Sequence, residues 1–154
     1  MRSSLSVLAA AATTLLIGCE TMTGQSASTT AAAPALPSGY TCCNLHYEND
    51  WISDANWSSM PMIPAGASIK VLDYGRSRIM TEIDGRKMRL GLDYGRQQPL
   101  EEWARKLVVQ DDPRRKIAAW PAPVRDAVRA GKVAIGMSKE QVLVSIGYPP
   151  MHQT

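Results

Sequence analysis

The sequence predicts an α+β fold, and three local patterns carry that expectation. The first is a hairpin. Ile79, Thr81 and Ile83 alternate before Asp84-Gly85, and Met88, Leu90, Leu92 and Tyr94 alternate after it. Asp-Gly supplies the positive φ angles that a tight type I′ turn needs. The second is an amphipathic stripe, in which Leu100, Trp103, Ala104, Leu107 and Val108 recur at helical spacing. The third is Ser138 with Gln141, the pattern of a capping box, ahead of Val142, Leu143 and Ile146. Alternation comes before helical periodicity along the chain, so a small β module should be followed by short helices.

The 154 residues carry a net charge of +3 and suit one domain, or two small ones. Charge is unevenly spread. Residues 1–39 contain only Arg2 and Glu20 as charges, whereas residues 40–154 hold 16 Lys/Arg and 13 Asp/Glu. The second stretch has ordinary globular proportions, which excludes disorder throughout, collagen-like repeats and a polytopic membrane protein.

Arg2 and the terminal amine form a short positive n-region. The uncharged run over 5–17 is too short to cross the ~30 Å of bilayer hydrocarbon comfortably and reads as a signal-peptide core. It ends in Leu16-Ile17-Gly18-Cys19, which resembles the lipobox of bacterial lipoproteins. The resemblance implies cleavage between Gly18 and Cys19, a diacylglycerol on the Cys19 thiol and an acylated amine. Two or three acyl chains, at ~0.8 kcal/mol per buried CH₂, make a stable anchor. Asp directly after the cysteine often marks inner-membrane retention in that family. Glu20 stands there instead, which implies the outer membrane. From Glu20 to Gly39, 16 of 20 residues are Ser, Thr, Ala, Pro or Gly. Such a segment cannot repay the entropy of ordering and reads as a tether spanning about 25 Å.

Within the β module, Ile69, Val71 and Asp73 alternate with Lys70, Leu72 and Tyr74, and Pro64-Ala65-Gly66 marks the turn into that strand. Residues 40–47 supply a fourth strand, followed by a loop that holds Trp51 and Trp57. Leu-Asp-Tyr-Gly-Arg occurs at 72–76 and again at 92–96, each copy a strand end whose Gly breaks pairing. Short strands in this number fit a small meander or an SH3-like barrel. Ile63-Pro64-Ala65-Gly66 before a strand resembles the entry to bacterial SH3-type modules.

Three to four short helices follow. Pro99 sits at the first turn of the helix over 100–108. Asp112 caps a second begun by Pro113, in which Ile117 and Trp120 share a face, and Pro121 ends it. The third covers 123–130 with Gly131 as its stop, and the fourth stops at Gly147 with Val142, Leu143 and Ile146 inward. The segment Gly136-Met137-Ser138-Lys139-Glu140-Gln141-Val142-Leu143, with Ile146-Gly147-Tyr148-Pro149 after it, resembles the opening helix of the SmpA/OmlA (BamE-like) domain. That domain belongs to small outer-membrane lipoproteins that assist assembly of outer-membrane β-barrels. Its strands would follow Pro149-Pro150, so the C-terminal part reads either as a truncated SmpA/OmlA-like domain or as one whose sheet is supplied by the upstream strands, unless the likeness is accidental. The expected organisation is a signal peptide over 1–18, a lipidated tether over 19–39, a β-rich module over 40–97 and a helical segment over 98–154.

Catalytic patterns are not legible. His46 and His152 are the only histidines, and no Gly-x-Ser-x-Gly, His-Glu-x-x-His, P-loop or CxxC motif occurs. No catalytic residue, metal site or cofactor is therefore expected. Glu48, Asp50 and Asp54 around Trp51 read as a solvated polar loop and not as a carboxylate pair for glycoside chemistry. Seven Lys/Arg against four Asp/Glu over 70–96 read as solubilising charge on an outward strand face. Cys42 and Cys43, as strand neighbours, point to opposite faces, which makes one buried and one exposed. The outward thiol is a candidate for an intermolecular disulfide.

The function expected is that of a non-enzymatic adaptor in envelope or outer-membrane protein assembly, lipid-anchored through Cys19 and facing the periplasm. Membrane lipid and assembly proteins are its expected partners, and nucleic acid is not. Two alternatives stay open: an SH3-like peptidoglycan binder with Tyr47, Trp51 and Trp57 as a stacking surface, and a small inhibitor or immunity-type lipoprotein. Substituting Cys19→Ser should abolish incorporation of labelled fatty acid and leave the precursor unprocessed on a gel. A variant still processed and membrane-bound overturns the lipobox.

Overall fold

The structure is a computed structural model that describes residues 37–56, 59–93 and 99–149. Gly18, Cys19, Trp57 and Tyr94 lie outside the described residues. The elements run β1 (Ser38–Thr41), β2 (Leu45–His46), β3 (Trp51–Ser53), β4 (Met62–Ile63), β5 (Ser68–Tyr74), β6 (Ile79–Ile83), β7 (Arg86–Gly91), α1 (Leu100–Leu107), β8 (Val108–Val109), α2 (Arg114–Ala118), α3 (Ala122–Arg129) and α4 (Lys139–Ile146). The fold is α+β: a mixed six-stranded sheet with short helices, plus a two-stranded ribbon of β2 and β4.

The hairpin forms as its pattern predicts. Asp84 has φ 46° and Gly85 φ 78°, the paired positive values of a type I′ turn. Ile79 pairs with Leu90 and Thr81 with Met88, which places all four on the buried face. β5 adds to β6 antiparallel, with a bulge between Val71 and Asp73. The meander β5-β6-β7 is therefore the centre of the sheet, in the order β3-β7-β6-β5-β1-β8. Its apolar face, with Ile52 from β3 and Trp103, Ala104 and Leu107 from α1, makes one core. Each fully buried aliphatic side chain there contributes about 1.5–3 kcal/mol. The outward face alternates in charge, Lys70 opposite Glu82 and Glu82 opposite Lys87.

Several expectations are corrected by long-range contacts. The strand expected over 40–47 is broken into β1 and β2 by a bend at Cys42-Cys43. At the bend, Cys42 N–H donates to Leu107 O at 2.9 Å and Asn44 N–H to Val144 O at 2.9 Å, so both donors leave the strand ladder. Because Cys42 and Cys43 sit in this bend, strand alternation does not separate them, and their sulfurs are bonded to each other. The two cysteines thus have a partner within the chain. The loop expected around Trp51 contains β3, parallel to β7, with Ile52 buried and Arg89 N–H donating to Asp50 O at 2.7 Å. Nor does the helical half stay apart: β8, directly after α1, returns to the sheet and pairs with β1.

The helix stripe matches its periodicity, with Trp103, Ala104 and Leu107 buried on α1. Asp112 Oδ1 accepts the Arg114 N–H at 2.9 Å at the start of α2. Both capping-box bonds of α4 are present, Gln141 N–H to Ser138 Oγ and Ser138 N–H to Gln141 Oε1. The inward face of α4 differs from the expected one. Ser145 is fully buried and Ile146 is 41% exposed. Ser145 Oγ donates to Lys132 O at 2.7 Å, so a hydrogen bond to the α3–α4 connector, and not apolar area, sets the helix's rotation. Among the described residues no helix is long and apolar enough to cross a membrane.

Asn44 joins these parts. Its Nδ2 donates to Val128 O at 2.7 Å and to Ser145 O at 2.9 Å, and its Oδ1 accepts the Ala65 N–H at 2.9 Å. With the bond from its own N–H to Val144 O, one buried residue satisfies three carbonyls at the C-terminal ends of α3 and α4. Substituting Asn44→Ala should lower unfolding stability by about 3 kcal/mol, because it removes the buried side-chain bonds that hold α3, α4 and the turn before β5 to one residue. Urea titration reads the loss, and hydrogen exchange should place the earliest opening in α3 and α4.

Candidate functional site

Two short helices that bury little create a concavity. α2 contributes no buried residue, and its Ile117, with Trp120 just beyond it, stands off from the core. α4 is held back by Ser145 and Asn44. Between them, over the Cys42–Cys43 bend and Val109 of β8, runs a groove of about 980 Å³. Its apolar surface comes from Ile117 and Trp120 on one side and Leu143, Val144 and Tyr148 on the other. The vicinal disulfide lies in the same lining.

The rim is ionic. Lys116 of α2 pairs with Glu140 of α4, a bridge that links the two helices. Such an exposed pair is worth little in stability, but it sets the charge the groove presents. The Arg114 guanidinium beside Asp112 holds its carboxyl below the usual carboxylate range. Arg115 and Lys139 supply positive charge on opposite sides. The arrangement offers apolar contact below and paired recognition of both charge signs above, which is how recognition sites combine affinity with orientation.

No protein-family model matches this chain, and no curated protein or solved structure matches it either. The groove is thus read from its own residues.

Of the aromatic residues expected as a stacking surface, Tyr47 and Trp51 lie outside the groove lining, and Trp57 lies outside the described residues. Tyr47 packs against the core, with the Arg86 guanidinium 5.0 Å from its ring centroid and donating to its hydroxyl at 3.3 Å. Trp51 lies against Gly91, where a Cβ would fall 2.1 Å from the ring. Its Nε1 donates to Asp93 Oδ2 at 3.1 Å, and Arg89 stands 5.8 Å from the ring centroid. The acidic group divides as well. Arg89 pairs with Asp50 and holds its carboxyl below the usual range. Asp54, expected to be solvated, is buried, and its Oδ1 accepts the Asp93 N–H at 2.9 Å. Its work is to fasten the end of β7 to β3. His46 is buried with Nδ1 3.2 Å from Met60 O.

Sequence reasoning missed the groove because its walls come from 42–43, 109–120 and 139–148, and no one segment carries its pattern. The one available signal was that Ile117 and Trp120 share a face. The Cys42–Cys43 bond makes a direct prediction. Under non-reducing conditions the peptide containing both residues should be two hydrogens lighter than the dithiol and should resist alkylation. After reduction it should take two alkyl groups. A chain that dimerises through these cysteines, or alkylates without reduction, contradicts the vicinal bond.

Proposed function

We propose that this chain is a lipid-anchored adaptor of the bacterial envelope, held at the periplasmic face of the outer membrane through Cys19, with the groove between α2 and α4 receiving its partner. The observation that carries the reading is the groove: apolar below, ionic at the rim, and built by two helices that the core does not need. An apolar cleft with Trp and Tyr in its walls is the kind of surface that anchors a partner's side chains. The resemblance of 136–149 to SmpA/OmlA lipoproteins supports the choice of partner class, because Lys139, Glu140, Leu143, Val144 and Tyr148 of that segment all line the groove. Tethering supplies the rest of the mechanism. Confinement near the membrane raises the local concentration, so modest surface affinity suffices.

The test is co-purification from detergent-solubilised envelopes. The wild-type chain should bring down outer-membrane assembly components, and Trp120→Ala or Leu143→Asp should reduce that recovery about tenfold, with circular dichroism unchanged. Equal recovery with both variants overturns the groove as the docking site. Retention on purified sacculi, lost on Trp51→Ala, would favour the wall-binding alternative.

A further inference from the structure

We infer that the connector between α3 and α4, residues 130–138, is a membrane-contacting turn that rests on a bilayer bearing anionic headgroups. Met137 N–H donates to Ala134 O at 3.3 Å and Gly136 has φ 90°, so Ile135 and Gly136 form the corner of a tight turn. Turn corners are normally occupied by Gly, Pro, Asn, Asp or Ser. Here Ile135 stands at the corner with a relative exposure of 109%, and Val133 beside it is 55% exposed. A Cβ built on Gly136 would meet nothing within 4 Å, so the corner projects from the fold into open space.

Charge identifies what covers it. Lys132 and Lys139 flank the corner, both exposed, and no Asp or Glu occurs between Asp126 and Glu140. Those two carboxylates are engaged outside the turn, Asp126 with Arg129 and Glu140 with Lys116. The connector therefore presents apolar side chains between two ammonium groups. At a membrane surface the apolar pair enters the headgroup–acyl boundary while the lysine stems keep their charges among the phosphates. A projecting corner of this kind suits a deformable bilayer, whereas a folded partner would need a matching pocket. The inference rests on the Cys19 anchor proposed above. A lipid on Cys19 would confine the folded part near the bilayer, so a small contact is populated.

The full chain, processed in a bacterial host and reconstituted into phosphatidylglycerol/phosphatidylethanolamine vesicles, separates the two claims. Flotation with the vesicles reports the anchor. Ile135→Trp reports the turn, read as the emission it adds over the parent chain and its quenching by brominated phospholipid. The expected result is flotation together with loss of most of the added emission. Lys132→Glu combined with Lys139→Glu in the same background should restore it. A chain that floats while the added tryptophan is not quenched by the lipid, and is quenched by aqueous acrylamide as in vesicle-free buffer, overturns the turn contact and leaves the anchor standing. A chain that does not float overturns the anchor and the turn contact together.

Discussion

The buried amide of Asn44 is the constraint on which the helical half of this fold depends. Short helices end in carbonyls with no partner of their own, and burying those ends without hydrogen bonds would cost more than their small apolar faces return. Asn44 stands in a bend between β1 and β2 and donates to Val128 O and Ser145 O from its side chain and to Val144 O from its backbone. Its Oδ1 takes the Ala65 N–H at the turn before β5. Four elements thus meet at one residue, and their separations are set by hydrogen-bond lengths. Thr41 works beside it: its hydroxyl donates to Pro64 O and accepts from Ala67 N–H.

The groove follows from that arrangement. α4 is positioned by polar bonds at its C-terminal end, so its Leu143 and Val144 need not be spent on the core. α2 is joined to α4 at the surface by Lys116–Glu140 and buries nothing fully. Apolar side chains left between two such helices line a cleft instead of closing it. The Cys42–Cys43 bend lies at the meeting point, bonded through Cys42 N–H to Leu107 O at the end of α1. A partner that fills the cleft would touch α2, α4 and this bend together. The projecting turn at Ile135 lies in the connector that leads into α4.

Much of the fold was legible where the deciding interactions are local. The hairpin at Asp84-Gly85, the stripe of α1 and the capping box of α4 depend on neighbours within a few residues, and each formed where its pattern lay. The misreadings have the opposite character. Residues 40–47 looked like one strand because nothing nearby says that Asn44 will bond helices about a hundred residues away. The Trp51 segment looked like a loop because its partner strand, β7, is parallel and distant. Ile146 looked buried because helical periodicity cannot say that Ser145 will find Lys132 O and turn the helix. The groove was less legible than the fold, because its aromatic residues, Trp120 and Tyr148, lie on segments that come together only in the folded chain.

By itself, the sequence determined the contrast between a nearly uncharged first 39 residues and a charged remainder of globular composition, the α+β class, and most strand and helix positions. Those follow from composition and from periods of two and 3.6 residues, which short stretches of chain express without help. Tertiary structure alone decided the break at Cys42-Cys43, the bond between those cysteines, the return of β8 to the sheet, the rotation of α4 and the existence of the groove. Each of these depends on which distant carbonyl a particular N–H or side chain reaches, and that is settled only when the chain closes on itself.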